Sequence, residues 1–500
     1  MQRQQFSRNK ASQMTVPDIR IQNCNDAVID PNGQFVLYWM TANRRPGWNF
    51  SLDRALEHAK HLNRPLLVFE ALRCGYKWAS DRIHDFVISG MADNAAAFEN
   101  KRAAYFPYVE AQAGDGAGLL EELARRSCIV VTDDFPCFFL PRMVATVANR
   151  LHVPLEKIDS NGIFPMRGTD RVFSRAHDFR RFLQKNLQPH LQEFPKADPL
   201  KRIRIPILER FPKDIQERWP MADVAGIARH PEKLARYRID HSVSFANLRG
   251  GIKSAAEKLR SFCDSKLHQY SEERNQPEMD VTSGFSPYLH FGHISTHEIF
   301  SRLMEDEQWT PDELAPKATG SRAGWWGCSP MVEAFLDQLI TWRELGYNMC
   351  WQREDYDQYE SLPDWAQKTL AEHANDLRPY IYSLEEFETA ATHDNLWNAA
   401  QSQLVREGRI HNYLRMLWGK KILHWSESPQ AALDIMIELN NKYAIDGRNP
   451  NSYSGIFWVL GRYDRAWGPE RDIFGKIRYM ASENTARKVR VKQYIERYQS

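Results

Sequence analysis

The chemistry this sequence could do is concentrated in indoles, amides and a few charges at helical spacing. Trp418 and Trp425 stand seven residues apart, two turns along one helical face, and Trp397 begins the preceding helix. Asn412, Arg415 and Met416, three and four residues apart, share one face of a helix expected from Ile410 to about His424. A Trp-dense region with polar side chains at this spacing suits a flat, partly polar, π-rich ligand. Ordinary interhelical packing would use the same residues, and spacing alone leaves both open. A second group, Thr282-Ser283-Gly284-Phe285-Ser286 running on to Gly292, has small residues that let backbone amides and hydroxyls approach a pyrophosphate, and a following helix would add its dipole. A Thr-Ser-Gly helix entry is common, so only the rest of the constellation makes it a ligand loop. The third group is basic. Between Gly461 and Ser500 ten Lys or Arg stand against five Asp or Glu, and Arg462, Arg465 and Arg478 are interleaved with Tyr463, Trp467 and Tyr479. That composition suits a surface gripping phosphates, although Arg487 to Arg497 reads equally well as a solvated helix face.

Elements able to hold these residues are legible in the patterning. Residues 35–40, 65–69, 104–109 and 128–132 are continuous apolar runs of strand length, with helical runs at 52–62 and 119–126 between them. This alternation predicts a doubly wound, Rossmann-like parallel sheet over residues 34–188, behind an N-terminal extension of residues 1–33. Such a sheet offers a ligand crevice at the carboxyl ends of its strands. The glycines Gly114, Gly116 and Gly118 lack dinucleotide-loop spacing and follow the third strand, so they predict a flexible turn. A connector rich in Pro, Lys and Arg is expected over 189–225, and an all-α domain over 226–500. Ser329-Pro330 and Ser428-Pro429 mark helix starts there, and Ser295 with Glu298 and Ser383 with Glu386 fit capping boxes.

Composition removes other classes. Five hundred residues, 43% hydrophobic and 26% charged, exceed a single domain. No apolar run approaches the roughly eighteen residues of a membrane span, and residues 1–9 lack the apolar stretch of a signal peptide, so a cytoplasmic protein without a membrane role is expected, nucleoid-associated if bacterial. Seven scattered Cys without a Cys-x-x-Cys pair give neither a disulfide framework nor a metal site. The net charge of +2 implies nothing by itself.

The segments 282–292, 411–418, Asp446-Gly447-Arg448-Asn449-Pro450 and Phe474-Gly475-Lys476-Ile477-Arg478-Tyr479-Met480 resemble the photolyase/cryptochrome flavoproteins, closest to the class II cyclobutane pyrimidine dimer photolyases. The resemblance runs from about Gln34 to Lys492. It implies an α/β antenna-type domain and an all-α FAD-binding domain, with light-driven repair of pyrimidine dimers in DNA by electron transfer from reduced FAD. A monomer is expected. The sequence leaves open whether the N-terminal sheet holds a second antenna chromophore (a deazaflavin, a flavin or a folate) or none.

By the same resemblance, Tyr270, Thr282, Ser283, Gly284, Phe285 and Ser286 would hold the FAD phosphates. Arg415 would pair with Asp446 at the polar edge of the isoalloxazine, and Asn440 would face flavin N5, with Asn441 as the fallback. Trp418, Trp397 and Trp425 would relay electrons, Tyr382 being accessory. Trp342, Trp458 and Met416 would touch the flipped-out dimer, and Arg462, Arg465 and Arg478 the DNA. Gln338 departs from the pattern, which has Glu one turn before the Trp at 342. An amide hydrogen-bonds but cannot titrate, so repair yield would fall while binding survives. Asp337 beside it would point about 100° around a regular helix and is a poor substitute. Gln338 also favours the alternative, a cryptochrome-like blue-light photoreceptor with little or no repair.

Overall fold

The computed structural model describes residues 16–499; residues 1–15 of the expected N-terminal extension lie outside the described residues. Six strands form one sheet: β1 (Ile21–Asn23), β2 (Phe35–Met40), β3 (Leu66–Leu72), β4 (Ala103–Val109), β5 (Ser127–Asp133) and β6 (Leu155–Ile158), in the order β1-β6-β5-β2-β3-β4. All neighbours are parallel except β1 against β6. Strand periodicity explains why the central runs are apolar throughout. Phe35, Leu37 and Trp39 pack on one face and Val36, Tyr38 and Met40 on the other, both covered.

Two strands were not expected. β6 reads Leu-Glu-Lys-Ile and β1 reads Ile-Gln-Asn, so neither shows the apolar run that marks a covered strand. Residues 16–33, placed ahead of the domain in the sequence reading, in fact supply its edge strand. They are pinned by the fully buried guanidinium of Arg20, which donates to the carbonyls of Asp159, Gly162 and Ile163 and lies 4.6 Å from the Phe50 ring. At Gly114 to Gly118 the turn is confirmed. The amides of Gly114 and Gly116 are taken by Glu110 Oε1 at 2.9 and 3.3 Å, so an internal carboxylate fills the place a phosphate would need.

The connector 189–225 is not free chain. Leu200 and Ile205 pack in one sheet-face core, and Ile215 and Trp219 in the other. The helix Ala176–Asn186, within the expected N-terminal domain, buries Phe179 and Leu183 in the helical domain's core instead, and Arg180 pairs with Asp337 there at 2.6 Å. Helices from Ile252 to Tyr498 make up the second half. Ser383 and Glu386 form the expected capping box, Ser428 accepts from the Ala431 amide, and Ser295 caps His297 without help from Glu298. Ser329 makes no side-chain cap.

Arg82 fixes the two halves to each other. Reaching out of the helix Asp81–Phe98, it donates to the carbonyls of Leu404, Val405 and Tyr443, at the C-terminal ends of the helices Asn395–Glu407 and Pro429–Tyr443. Helix C-termini leave carbonyls such as those of Val405 and Tyr443 without an intrahelical partner and partly negative, which a guanidinium satisfies. These two helices carry Trp397 and Asn440, so the anchor also sets where the candidate site residues sit.

Candidate active site

The helix Asn412–Trp425 is the spine of the site. Its interior contains no β-branched run apart from Ile422, and Gly419 lets the helix Pro450–Val459 come close: a Cβ at Gly419 would lie 2.4 Å from Val459 Cγ2. Leu414, Leu417 and Trp418 turn into the core, while Arg415 and Met416 remain partly exposed on the other face. Across from them comes Asp446, thirty-one residues later, accepting from Arg415 Nη2 at 3.3 Å and from Ser286 Oγ at 2.5 Å. Burial would push the Asp446 carboxyl up, but Arg415 and the Ser286 hydroxyl outweigh it and hold the group below its ordinary value. One carboxylate thus joins the spine to the 282–286 loop.

That loop has room beside it. Thr282, Ser283 and Gly284 are partly exposed, Gly284 sits at φ +68°, and an added Cβ there would meet only Lys258 Cδ, at 4.0 Å. The helix that follows, Ser286–His290, has five residues, too short for the dipole contribution expected from sequence. The Phe285 ring is core, between Phe262 and Phe335 at centroid distances of 5.4 and 6.0 Å, which leaves its main chain for the loop. Tyr270 packs edge-on against the same two rings, beneath the Arg274 guanidinium.

Asn440 and Asn441 divide their roles by partner. Asn441 is wholly buried and committed, accepting the Arg448 amide at 2.9 Å and donating to Tyr453 Oη at 3.3 Å. Asn440 gives its amide N–H groups to Ser452 Oγ at 2.8 Å and Asn441 Oδ1 at 3.2 Å, and its own Oδ1 receives no hydrogen bond from any described residue. The free acceptor therefore belongs to Asn440. Ser452 was invisible in the sequence reading because its contact crosses between two helices.

Three indoles are buried together. Trp397 Nε1 donates to the Trp418 carbonyl at 2.9 Å, and Trp418 Nε1 donates to Gln401 Oε1 at 2.9 Å. Trp397 meets Trp425 edge to face at 6.0 Å, and Trp425 meets Tyr382 likewise at 5.7 Å. Exposure is 2%, 0% and 1% for Trp418, Trp397 and Trp425, whereas Tyr382 is partly exposed, so the series leads from the interior to the surface.

Trp342 and Trp458 lie in contact, ring centroids 5.4 Å apart and planes tilted by 36°, both partly exposed. Gly455, one turn before Trp458, faces space: nothing lies within 4 Å of where its Cβ would be. Residues Asp337–Trp342 form a π-helical turn rather than regular α-helix, an irregularity that frequently accompanies function. Gln338 is partly exposed in it, and its side-chain amide makes no hydrogen bond to any described residue. Asp337 is buried and held by Arg180 at 2.6 and 3.1 Å, so it cannot replace a carboxyl at 338.

The basic band needs one correction. Arg462 does not face solvent; it is 1% exposed, lies 3.8 Å over the Phe457 ring, and donates to the Tyr356 carbonyl and Ser361 Oγ. A cation in a basic stretch looked like surface, yet this one holds the loop after Val459 onto the fold. Arg465 and Arg478 are exposed and both lie on the Trp467 ring, at 4.7 and 4.6 Å.

An Arg–Asp pair, a glycine-hydroxyl loop with room beside it and an amide acceptor unpaired among the described residues suit a dinucleotide with a polar planar ring, and FAD fits that donor set. No protein-family model matches the chain. Along almost its whole length it is similar to deoxyribodipyrimidine photo-lyases. The Methanothermobacter thermautotrophicus protein is 36% identical, covering 96% of this chain and 97% of that one. The Potorous tridactylus protein is 32% identical (94% and 82%), and the Arabidopsis thaliana protein 31% (92% and 88%). Among solved structures, a class III photolyase from Agrobacterium tumefaciens superposes with TM-score 0.64 at 16% identity, covering 93% of this chain and 86% of that one. A Synechocystis sp. PCC6803 cryptochrome gives 0.61 at 14% (93% and 88%). An α/β sheet domain joined to a helical domain is thus the shared architecture. The chain belongs to the photolyase/cryptochrome family.

Proposed function

We propose that this protein binds FAD and repairs cyclobutane pyrimidine dimers in DNA when illuminated, as a class II type photolyase acting as a monomer. The observation that carries the reading is the partly exposed Trp342–Trp458 pair, with open space at Gly455 one turn before Trp458. Extruding a dimer from the duplex costs a few kcal/mol, and stacking worth about 1–3 kcal/mol per base can offset it. Arg415 and Asp446 orient the cofactor's polar edge, Asn440 Oδ1 accepts a proton-bearing ring nitrogen, and Thr282, Ser283, Gly284 and Ser286 receive the phosphates. Met416 and Gln338 line the lesion side, and Trp418, Trp397 and Trp425 with Tyr382 replenish electrons from the surface. FAD, when bound and reduced, supplies the photoexcited electron that opens the cyclobutane ring. Arg465 and Arg478, spread over Trp467, engage phosphates.

A second chromophore has a place in the crevice where β2, β3 and β5 end. Trp39, Arg44, Tyr76, Phe138, Phe139 and Arg448 line it, a set that suits a planar anionic ring system. The photoreceptor reading retains one supporting observation, the amide at Gln338. Incubating purified protein with dimer-containing oligonucleotide in light and in darkness separates the two. Light-dependent loss of dimers supports repair; none in wild type, with repair appearing in Gln338→Glu, supports the photoreceptor.

A further inference from the structure

The outer end of the indole series carries a short hydrogen-bonded pair. Tyr382 Oη lies 2.6 Å from His393 Nδ1, and the same oxygen accepts the backbone N–H of His393 at 3.1 Å. The direction of that bond depends on the His393 tautomer: with the ring protonated on Nε2, Nδ1 offers its lone pair to the phenolic O–H. Tyr382 touches Trp425 edge to face at 5.7 Å, and its backbone N–H is tied to the Trp425 carbonyl at 3.0 Å. His393 is exposed, so Nε2 can exchange protons with water, and Tyr380, 47% exposed, stacks on the imidazole at 3.9 Å.

We propose that His393, protonated on Nε2, is the base that takes the phenolic proton of Tyr382 when the relay oxidises it, an inference resting on the relay, Tyr382 included, assigned above. The step balances as follows. A bound oxidised flavin would supply the light-driven oxidant, and the step starts from a hole on Trp425. One electron then passes from Tyr382 to the Trp425 radical cation; the phenolic O–H bond breaks, and its proton moves to the lone pair on His393 Nδ1. Trp425 returns to neutral indole, Tyr382 becomes a neutral phenoxyl radical, and His393 becomes an imidazolium that passes its Nε2 proton to water. A phenol that loses an electron without its proton becomes a very strong acid, so the acceptor's position decides whether oxidation proceeds. At 2.6 Å it lies within the roughly 2.6–3.2 Å reach of general-base transfer. Loss of the proton also neutralises the hole and disfavours its return, which is what a terminal donor must achieve. Tyr380 caps the imidazole and is not required as a donor.

Transient absorption of the full-length protein with bound oxidised flavin tests this. Wild type should show the indole radical cation giving way to a phenoxyl radical, more slowly in deuterated solvent. In His393→Ala the indole radical should persist roughly a hundredfold longer, and added imidazole should restore its decay. Tyr382→Phe should give the same persistence without rescue, and Tyr380→Phe should match wild type. Nitrogen NMR of the protein in darkness should find His393 protonated on Nε2 only. Phenoxyl formation as fast in His393→Ala as in wild type, loss of the phenoxyl in Tyr380→Phe, or the opposite tautomer overturns the proposal. Absence of any indole radical from wild type overturns the relay itself, whereas an indole radical that requires Trp418 but ignores His393 removes only the proton assignment.

Discussion

Replacing Asp446 by Asn isolates the charge that the site depends on. The amide keeps the shape and can still accept from Ser286 Oγ, but it leaves Arg415 without its counter-ion at 3.3 Å. Breaking a fully buried pair costs about 3–5 kcal/mol. Here the Arg415 side chain keeps 20% of its exposure and Asp446 11%, so solvent screens part of that loss. An effect of about 1.5–2 kcal/mol is appropriate, which is a roughly ten- to thirtyfold weaker hold on FAD. Fluorescence titration of flavin-depleted protein with FAD measures it, and Arg415→Met provides the second edge of a double-mutant cycle. The two single variants and the double variant should lose similar amounts if the pair acts as a unit. The carboxyl's folded value lies below its ordinary 3.8, so its contribution is present above that pH and disappears as pH falls through the depressed value. Flavin retention in wild type should therefore be flat from neutrality down past pH 5. Unchanged FAD affinity in Asp446→Asn would refute the placement of the ring edge at this pair.

Three further outcomes are expected. Trp418→Phe should slow photoreduction of oxidised flavin by orders of magnitude yet leave dimer repair by chemically pre-reduced protein intact, measured on the same preparation. Arg465→Glu should weaken damaged and undamaged duplexes alike and lower the salt slope by roughly one to two ions, whereas Arg462→Gln should lower thermal stability without changing that slope, because its guanidinium is spent on Tyr356 and Ser361. Lys420 is wholly buried with only the Val459 carbonyl, and burial lowers its amine to about 7 despite the nearby Asp464 carboxylate. The folded state then binds fewer protons than the unfolded between pH 7 and the ordinary value of 10.5, so stability should rise by about 2 kcal/mol from pH 7 to 9, a slope that Lys420→Met should abolish in denaturant titrations.

What could be read in the sequence followed from how locally each feature is encoded. The four covered strands announce themselves because both faces are buried and every residue must be apolar, whereas β1 and β6 lie at one side of the sheet with Gln22, Asn23, Glu156 and Lys157, and so resemble loop. Within the site, helical spacing was enough to put Arg415 and Met416 on one face, but it could not bring Asp446 to Arg415 across thirty-one residues; that pairing came from resemblance, and the geometry supplies its physical cause, a carboxylate shared with Ser286. Arg462 shows the opposite failure. Charge density suggested a surface, but an aromatic ring and two oxygens from a distant turn make the interior the better place for that cation.

Gln338 is where local and tertiary logic meet most sharply. Sequence alone makes Asp337 a poor substitute, about 100° around a regular helix, and Arg180 holds it by two hydrogen bonds on the buried side of the π-helical turn. Rotating it toward Trp342 would strand a buried guanidinium, a loss of several kcal/mol that a shared proton at the lesion could not offset. Neither Asp337 nor Gln338 can therefore supply a proton to a developing negative charge on a dimer, and repair with Gln338 in place would use hydrogen bonding alone at this position.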